Sequence, residues 1–232
     1  MSTISVVTGA NSGIGRATAI HLAAQGHTVY GTVRALSKAT KLQAMAADAG
    51  VEVQLVELDI ADDESVRNGF ATILEATGGV VDVLVNNAGV GGNAVAEECP
   101  TSMYLDVMNV NLCGAVRCLQ QVLPGMRARR AGTIVNITSI SALQPRPMSI
   151  AYAASKAAIQ QLTRVLAREL APQHVLVNAI APGLFHTKMT HFAMEDAEHR
   201  EKILDGIPLH RGGTAEDITG LAVMRVQLLP LQ

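Results

Sequence analysis

The sequence predicts an α/β fold in which helices cover both faces of a doubly wound parallel sheet, giving three layers. Short runs rich in valine and isoleucine alternate with longer amphipathic stretches, and a glycine-rich turn joins the first run to the first stretch. Parallel strands that are buried on both faces have this continuous apolar character. Because 232 residues suffice for one sizeable core, we expect a single domain over residues 1–232.

Strands and helices are expected to alternate along the chain. The apolar runs predict six strands, at residues 4–8, 28–33, 52–58, 81–85, 133–138 and 175–180. The amphipathic stretches predict helices near residues 13–25, 35–49, 62–77, 101–129 and 152–171. Residues 185–211 break this alternation and are dense in His, Glu, Asp and Met. Ligands of open α/β sheets bind beyond the carboxyl ends of the strands, so this segment is predicted to be a lid over a substrate site.

The composition excludes several classes of partner. The chain has a formal net charge of -2 and is 16% charged, so it has no basic field that would bind nucleic acid. No stretch approaches the roughly 18 apolar residues that a membrane span needs. The three cysteines, Cys99, Cys113 and Cys118, form no C-x-x-C pair, which argues against disulfides and zinc. We therefore expect a soluble cytoplasmic protein without nucleic-acid or membrane partners.

Histidines crowd the predicted lid, at His186, His191, His199 and His210. Their spacings contain no His-x-x-x-His pair, and no cysteine cluster lies nearby. We therefore expect solvated histidines and no metal.

The turn after the first strand has the character of a phosphate-binding loop. Gly9 permits a tight turn, Gly13 lets the backbone approach a pyrophosphate, and Gly15 lets the helix pack against the strand. The helix N-terminus then points its partial positive charge at the phosphates. An ordinary glycine turn is the alternative, since the spacing is G-x-x-x-G-x-G instead of G-x-G-x-x-G. In the dinucleotide interpretation the loop residues that bind the cofactor are Gly9, Asn11, Ser12, Gly13, Ile14 and Gly15.

The end of the second predicted strand indicates which dinucleotide is bound. An acidic residue there would accept a hydrogen bond from the ribose 2′-hydroxyl and repel a 2′-phosphate. The chain has Arg34 at this place, followed by Ser37 and Lys38, and a guanidinium can bind a phosphate through two hydrogen bonds. This pattern favours NADP(H) over NAD(H). Alternatively, Arg34 is a solvated residue at a strand end.

Tyr152 and Lys156 lie four residues apart at the start of a predicted helix, which places both side chains on one helical face. There the ammonium is expected to stabilise a phenolate and lower the tyrosine pKa from about 10 toward the working pH. Ser139 follows the fifth predicted strand and is placed to hydrogen-bond a substrate oxygen beside the phenol. In isolation, such a pair also occurs by chance on many helices, and a serine after a strand is a common turn residue.

Taken together, these motifs resemble those of the short-chain dehydrogenase/reductase family. The resemblance covers nearly the whole chain and includes residues 8–15 (TGANSGIG), 59–60 (DI), 86–89 (NNAG), 109–111 (NVN), Ser139, Tyr152-x-x-x-Lys156 and 182–183 (PG). It implies a Rossmann-like fold and a catalytic set of Ser139, Tyr152 and Lys156. It also implies that Asn111 holds a water that links Lys156 to solvent.

The resemblance further implies which residues contact the cofactor. Asp59 and Ile60 would lie at the adenine, Thr187 near the nicotinamide carboxamide, and Lys156 at the nicotinamide ribose. The whole set implied in this way is Asp59, Ile60, Asn87, Ala88, Gly89, Tyr152, Lys156, Pro182, Gly183 and Thr187. The residue types agree in part, because a carboxylate suits an exocyclic amine and small residues after the fourth strand permit close approach.

The C-terminus departs from the family pattern. Residues 214–218 resemble the opening of the family's last helix, but residues 224–232 show no glycine-rich strand pattern and include Pro230. We therefore expect the last, seventh strand to be missing or altered. The resemblance implies a homodimer that pairs through the helices predicted at 101–129 and 152–171, whereas a tetramer built at the last strand is in doubt.

The expected activity is that of an NADP(H)-dependent oxidoreductase acting on CH-OH or C=O groups of a small-molecule substrate. Tyr152 would serve as general acid or base, and hydride would pass from or to the nicotinamide. The alternative is a non-catalytic dinucleotide-binding or regulatory protein, since the altered C-terminus could leave the substrate pocket open.

Overall fold

A sheet of six parallel strands forms the centre of the chain in the computed structural model, which describes residues 2–144, 146–187, 190, 197–214 and 217–220. Within these residues the strands are β1 (Ile4–Val7), β2 (Thr28–Val33), β3 (Gln54–Glu57), β4 (Val83–Asn86), β5 (Gly132–Ile137) and β6 (Val175–Ile180). Their order is β3-β2-β1-β4-β5-β6, and every neighbouring pair is parallel. The predicted Rossmann-like, doubly wound sheet is confirmed. The altered seventh strand was predicted for residues 224–232, which lie outside the described residues.

Helices fill the connections between the strands. They are α1 (Gly13–Ala24), α2 (Thr40–Asp48), α3 (Asp63–Ala76), α4 (Thr101–Met108), α5 (Gly114–Arg129), α6 (Ile150–Leu170) and α7 (Ala197–Asp205). Among the described residues, none of the helices combines the length and apolar character that crossing a bilayer requires.

Two helical stretches differ from the predicted ones. The stretch predicted at 35–49 opens with a 3-10 turn, Leu36–Lys38, and its α-helix starts only at Thr40. The stretch predicted at 101–129 is divided by a π-turn, Asn109–Cys113, which separates α4 from α5. Amphipathic periodicity does not reveal such a turn, because the apolar face continues on both sides of a single wide turn.

Successive residues of the strands face two separate cores, one on each side of the sheet. Val6 of β1 packs in the first core with Phe70 and other side chains of α3, α5 and α6. Val7, the next residue, packs in the second core with Leu22 and other side chains of α1 and α2. Helices therefore cover both faces, which gives the predicted three layers.

A ladder of buried polar side chains ties the middle of the sheet to α6. Asn86 Nδ2 donates to Asn136 Oδ1 at 2.9 Å, across the register that pairs these residues of β4 and β5. Asn136 Nδ2 donates to Thr163 Oγ1 at 2.9 Å, and that hydroxyl donates to the carbonyl oxygen of Ile159 at 2.8 Å. Because buried donors need partners, the ladder fixes the position of α6 on β5.

Replacing Asn136 with leucine is expected to lower the free energy of unfolding by about 3 kcal/mol, because the buried Asn86 amide loses its acceptor and Thr163 loses its donor. Thr72→Ala, which removes an exposed hydroxyl that donates to Asn68, should change it by less than about 0.5 kcal/mol. Urea-induced unfolding measures both values. Equal effects of the two substitutions would show that the ladder does not stabilise the fold.

Candidate active site

A groove of about 690 Å³ opens at the carboxyl ends of the strands, where the strand order reverses between β1 and β4. Open α/β sheets bind their ligands at this position. The groove is lined by loops that follow all six strands. All predicted cofactor residues except Gly15 line it, namely Gly9, Asn11, Ser12, Gly13, Ile14, Arg34, Asp59, Ile60, Asn87, Ala88, Gly89, Tyr152, Lys156, Pro182, Gly183 and Thr187.

Close packing explains the glycines of the loop that follows β1. Gly9 has a φ of +67°, and a Cβ on it would lie 2.9 Å from the Cα of Ala88. Gly15 is buried, and a Cβ on it would lie 2.2 Å from Asn87 Nδ2 and 2.5 Å from the carbonyl oxygen of Gly9. Gly15 therefore packs α1 against the sheet, as expected, and does not line the groove.

Thr8 fixes this loop to the loop that follows β4. Its buried hydroxyl donates to the carbonyl oxygen of Val85 at 3.3 Å and accepts from the backbone amides of Asn87 at 3.0 Å and Ala88 at 3.1 Å. Asn87 Nδ2 donates a hydrogen bond of 2.9 Å to the carbonyl oxygen of Thr8. Sequence reasoning gave Thr8 no role, because its partners lie about eighty residues away and become neighbours only through the strand order.

Two basic side chains, Arg34 and Lys38, lie exposed at the edge of the groove. Arg34 directly follows β2, and Lys38 ends the turn Leu36–Lys38. Leu36 N donates to the Glu57 carboxylate at 3.0 Å, which ties this turn to the end of β3. The loop after β2 therefore presents two positive charges to the groove, consistent with the sequence pattern.

Lys156 is buried at the floor of the groove, with 5% of its surface exposed. Its Nζ donates to the carbonyl oxygen of Ile137, the last residue of β5, at 2.9 Å. It lies 5.8 Å from the centroid of the Tyr152 ring, so the four-residue spacing does bring the two side chains together. Burial lowers the pKa of Lys156 from its usual 10.5 to about 8, because a desolvated ammonium is disfavoured.

The pKa of Tyr152 shifts in the direction opposite to the sequence expectation. Burial raises the pKa of the phenol above its usual value, and a hydrogen bond with Ser139 lowers it by a smaller amount. The predicted lowering by Lys156 was therefore wrong, because loss of solvent around the phenolate outweighs the hydrogen bond with Ser139. The phenol consequently keeps its proton at neutral pH.

Ser139 holds its hydroxyl beside the phenol through the turn that follows β5. It is buried, has extended backbone, and caps a 3-10 turn, Ile140–Ala142, by accepting a bond of 3.1 Å from Ser141 N. Ile140 N donates to the carbonyl oxygen of Pro182 at 2.9 Å, which joins the loops after β5 and β6. The predicted Ser139 and Tyr152 thus meet on one wall of the groove.

Asn111 lies in the π-turn and connects it to the loop after β4 and to α6. Its Oδ1 accepts from Val90 N at 2.8 Å, and its Nδ2 donates to the carbonyl oxygen of Val90 and to Ser155 Oγ, both at 2.9 Å. Ser155 in turn donates to the carbonyl oxygen of Tyr152 at 2.7 Å. Asn111 lines a separate buried cavity of about 10 Å³ that also touches Lys156, and its predicted water-holding role stays a prediction. Sequence reasoning missed Ser155, although its place between Tyr152 and Lys156 was a signal.

The predicted lid is described in part. Phe185 pairs with Gly213 through an isolated bridge, and α7 forms further along the segment. Thr187 Cγ2 would lie 3.0 Å from a Cβ built on Gly13, so the segment reaches across to the glycine loop. Residues 188–189 and 191–196, including His191, lie outside the described residues, as does the His199 side chain. The described part of the chain contains no group of three His, Cys, Asp or Glu side chains suited to a metal.

Comparison with known proteins matches the chain to one family. The family model for short chain dehydrogenase covers residues 3–198. The chain is 35% identical over 221 residues to the 3-oxoacyl-acyl-carrier-protein reductase FabG of Staphylococcus epidermidis, a match that covers 94% of this chain and 88% of the relative. These matches confirm the resemblance drawn from the motifs.

Solved structures with the same fold contain either dinucleotide. A variant of the actinorhodin polyketide ketoreductase with NADPH is 32% identical, with a TM-score of 0.91, and the match covers 98% of this chain and 91% of that one. An NAD+-bound xylitol dehydrogenase is 28% identical, with a TM-score of 0.88 and coverage of 97% and 92%. The fold alone therefore does not determine which dinucleotide this chain prefers.

Replacing Lys156 with methionine is expected to raise the free energy of unfolding at pH 7. The pKa of Lys156 is about 8 in the folded chain and 10.5 for a lysine in the unfolded chain. Keeping the ammonium charged in the folded chain at pH 7 therefore costs about 3 kcal/mol. The loss of the bond to Ile137 offsets about 1 kcal/mol, which leaves a gain of about 2 kcal/mol.

The advantage of the variant should disappear as the pH rises. Between pH 8 and 10.5 the unfolded parent binds more protons than the folded parent, so the parent gains stability with pH in that window. Urea unfolding at pH 7 and pH 9.5 measures this change, and Lys41→Met on the exposed face of α2 is the control. A Lys156→Met protein less stable than the parent at pH 7 would contradict the prediction.

Proposed function

Because this chain belongs to the family of short-chain dehydrogenases, we propose that it interconverts a carbonyl and a secondary alcohol with NADP(H) as cofactor. The proposal is based on the arrangement of three side chains in the groove. The phenol of Tyr152, the hydroxyl of Ser139 and the ammonium of Lys156 meet in a groove large enough for a dinucleotide. A proton donor, an orienting hydroxyl and a nearby cation are the groups that carbonyl reduction requires.

The groove walls fit a dinucleotide. Gly9, Gly89 and Gly183 line the groove and leave its wall without side chains at these places. A Cβ on Gly9 would lie 2.9 Å from the Cα of Ala88, one on Gly89 would lie 3.1 Å from Asn111 Oδ1, and one on Gly183 would have no atom within 4 Å. The phosphates would lie on Gly13 at the N-terminus of α1, and the nicotinamide near Tyr152. When bound, the cofactor supplies or accepts the hydride.

Tyr152 acts in this proposal as the proton donor to the carbonyl oxygen. Its raised pKa keeps the phenol protonated at neutral pH, which suits reduction. Ser139 donates to the same substrate oxygen and holds it beside the phenol. Lys156 contributes positive charge below about pH 8, where the ammonium stabilises the phenolate that forms as the proton leaves.

Tyr152→Phe is expected to reduce turnover by about a thousandfold while leaving NADPH affinity within about twofold, because only the proton donor is lost. Tyr104→Phe, outside the groove, is the matched control and should keep full activity. Turnover on a panel of carbonyls and alcohols is followed by nicotinamide absorbance.

The same panel separates the enzyme from the alternative of a non-catalytic dinucleotide-binding protein. Tight NADPH binding by the parent without turnover of any substrate would favour the binding protein. An active Tyr152→Phe variant would refute the role given to the phenol.

The preference for NADP(H) rests on the charges after β2. Arg34 and Lys38 both line the groove, and both are exposed, so a 2′-phosphate between them would gain two charge-assisted contacts. NAD(H) carries an uncharged 2′-hydroxyl in place of this phosphate. The turn that carries Lys38 is anchored by Glu57, which keeps the two cations on the same edge.

Arg34→Leu is expected to weaken NADPH binding by about tenfold to hundredfold and to leave NADH binding nearly unchanged, because it removes a charged hydrogen-bond donor to the phosphate. Arg67→Leu removes an exposed guanidinium of α3 outside the groove and is the control. Fluorescence titration with both cofactors measures the two affinities. Tighter binding of NADH than NADPH by the parent chain would overturn the proposed preference.

A further inference from the structure

The guanidinium of Arg117, in the first turn of α5, contacts three different parts of the chain. Its Nη1 donates to the carbonyl oxygens of Ile60 and Asn109, both at 3.2 Å. Its Nη2 donates to Asn109 Oδ1 at 2.8 Å, and its Nε lies 2.9 Å from Asp63 Oδ1 at the start of α3. The planar fork of arginine suits such divergent acceptors, which one ammonium would not satisfy together.

The contacts of Arg117 join the adenine end of the groove to the π-turn. Ile60 belongs to the loop after β3, which lines the groove, and Asn109 is the first residue of the π-turn. Asn109 Nδ2 adds a bond of 3.2 Å to the carbonyl oxygen of Ala61. The loop and the turn are therefore linked by hydrogen bonds that run through Arg117 and Asn109.

Apolar packing at the same place is tight. A Cβ on Gly114, the first residue of α5, would lie 2.7 Å from Ile60 Cδ1. The Ile60 side chain is buried with only 7% of its surface exposed. The loop after β3 thus rests directly on the junction between the π-turn and α5, so a displacement of either one moves the other.

Arg117 adds a second donor to the π-turn. Gly114 N donates to the carbonyl oxygen of Asn109, five residues earlier, which is the wide bond of a π-turn. Arg117 gives this carbonyl a second partner and also binds the Asn109 side chain. Two residues further along, Asn111 makes its bonds to Val90 and Ser155.

We propose that Arg117 is a positioning residue that keeps the adenine end of the groove at a fixed position relative to the catalytic end. It fixes the loop of residues 59–61 against the π-turn, and the π-turn places Asn111 against Ser155 in the turn of α6 that carries Tyr152 and Lys156. The inference rests on the proposed function only in that the groove binds a dinucleotide.

The contacts to backbone and to Asn109 matter more than the ion pair with Asp63. The Asp63 side chain is 65% exposed, so water screens its interaction with Arg117, whose own side chain is 15% exposed. The pKa of Asp63 is nevertheless lowered, chiefly by its hydrogen bond with Arg117. Asp63→Asn therefore provides a matched control, because it removes the charge and leaves the other contacts of Arg117 in place.

The test compares Arg117→Met, Arg117→Lys and Asp63→Asn with the parent. Arg117→Met should weaken NADPH binding by about tenfold and lower kcat by about fivefold, since misplaced groups lose binding and catalysis together. Arg117→Lys should recover part of both losses, and Asp63→Asn should stay within about twofold of the parent. Fluorescence titration gives the Kd for NADPH, absorbance assays give kcat and KM, and circular dichroism gives the thermal midpoint.

The outcomes decide between a positioning role and a merely structural one. A lower thermal midpoint of Arg117→Met with unchanged Kd and kcat would overturn the proposal, as would an Asp63→Asn effect equal to that of Arg117→Met. If Arg117→Met does not fold, a folded Arg117→Lys with parental Kd and kcat overturns it equally.

Failure of the proposed function gives a different pattern. A parent that binds NADPH without turnover would end the catalytic proposal, and a tenfold change in Kd on Arg117→Met would still support the inference for the binding groove.

Discussion

Burial of the Lys156 ammonium is the constraint on which the rest of the site depends. A charge removed from water is tolerated only where the fold supplies fixed acceptors, and Ile137 at the end of β5 supplies one. That carbonyl is held in place by the pairing of β5 with both β4 and β6. The ladder from Asn86 to Thr163 holds α6 on the same strand, which keeps the backbone of Lys156 at a fixed distance from that carbonyl.

Two further polar side chains of the site, Thr8 and Asn111, also have hydrogen-bond partners within the chain. The Thr8 hydroxyl has three backbone partners, and the Asn111 amide has partners in Val90 and Ser155. Each bond joins elements that are distant in sequence, so the loops around the groove are held by the chain itself. A site whose groups are fixed in this way loses little conformational freedom when a ligand arrives, which favours both affinity and catalysis.

The sequence predicted the sheet and most of the groove because both depend on local patterns. Apolar runs predicted the six strands. Because parallel strands all run in the same direction, the loops that follow them lie at one edge of the sheet, and Arg34, Asp59 and Ser139 therefore line a common groove. The contacts of Thr8 were missed because they depend on the order of distant strands, and the π-turn was missed because the apolar periodicity continues across it. The pKa direction of Tyr152 was also wrong, because spacing along a helix gives proximity to Lys156 but not the degree of burial.

The pKa shifts of Tyr152 and Lys156 have the same principal cause, which is loss of solvent around the charged form. Burial disfavours both the phenolate and the ammonium, so it raises the pKa of Tyr152 and lowers that of Lys156 to about 8. A proton on Lys156 is therefore held less firmly than one on Tyr152. Burial thus keeps the phenol protonated at neutral pH, as the proposed proton donor requires, and at the same time confines the positive charge of Lys156 to pH values below about 8.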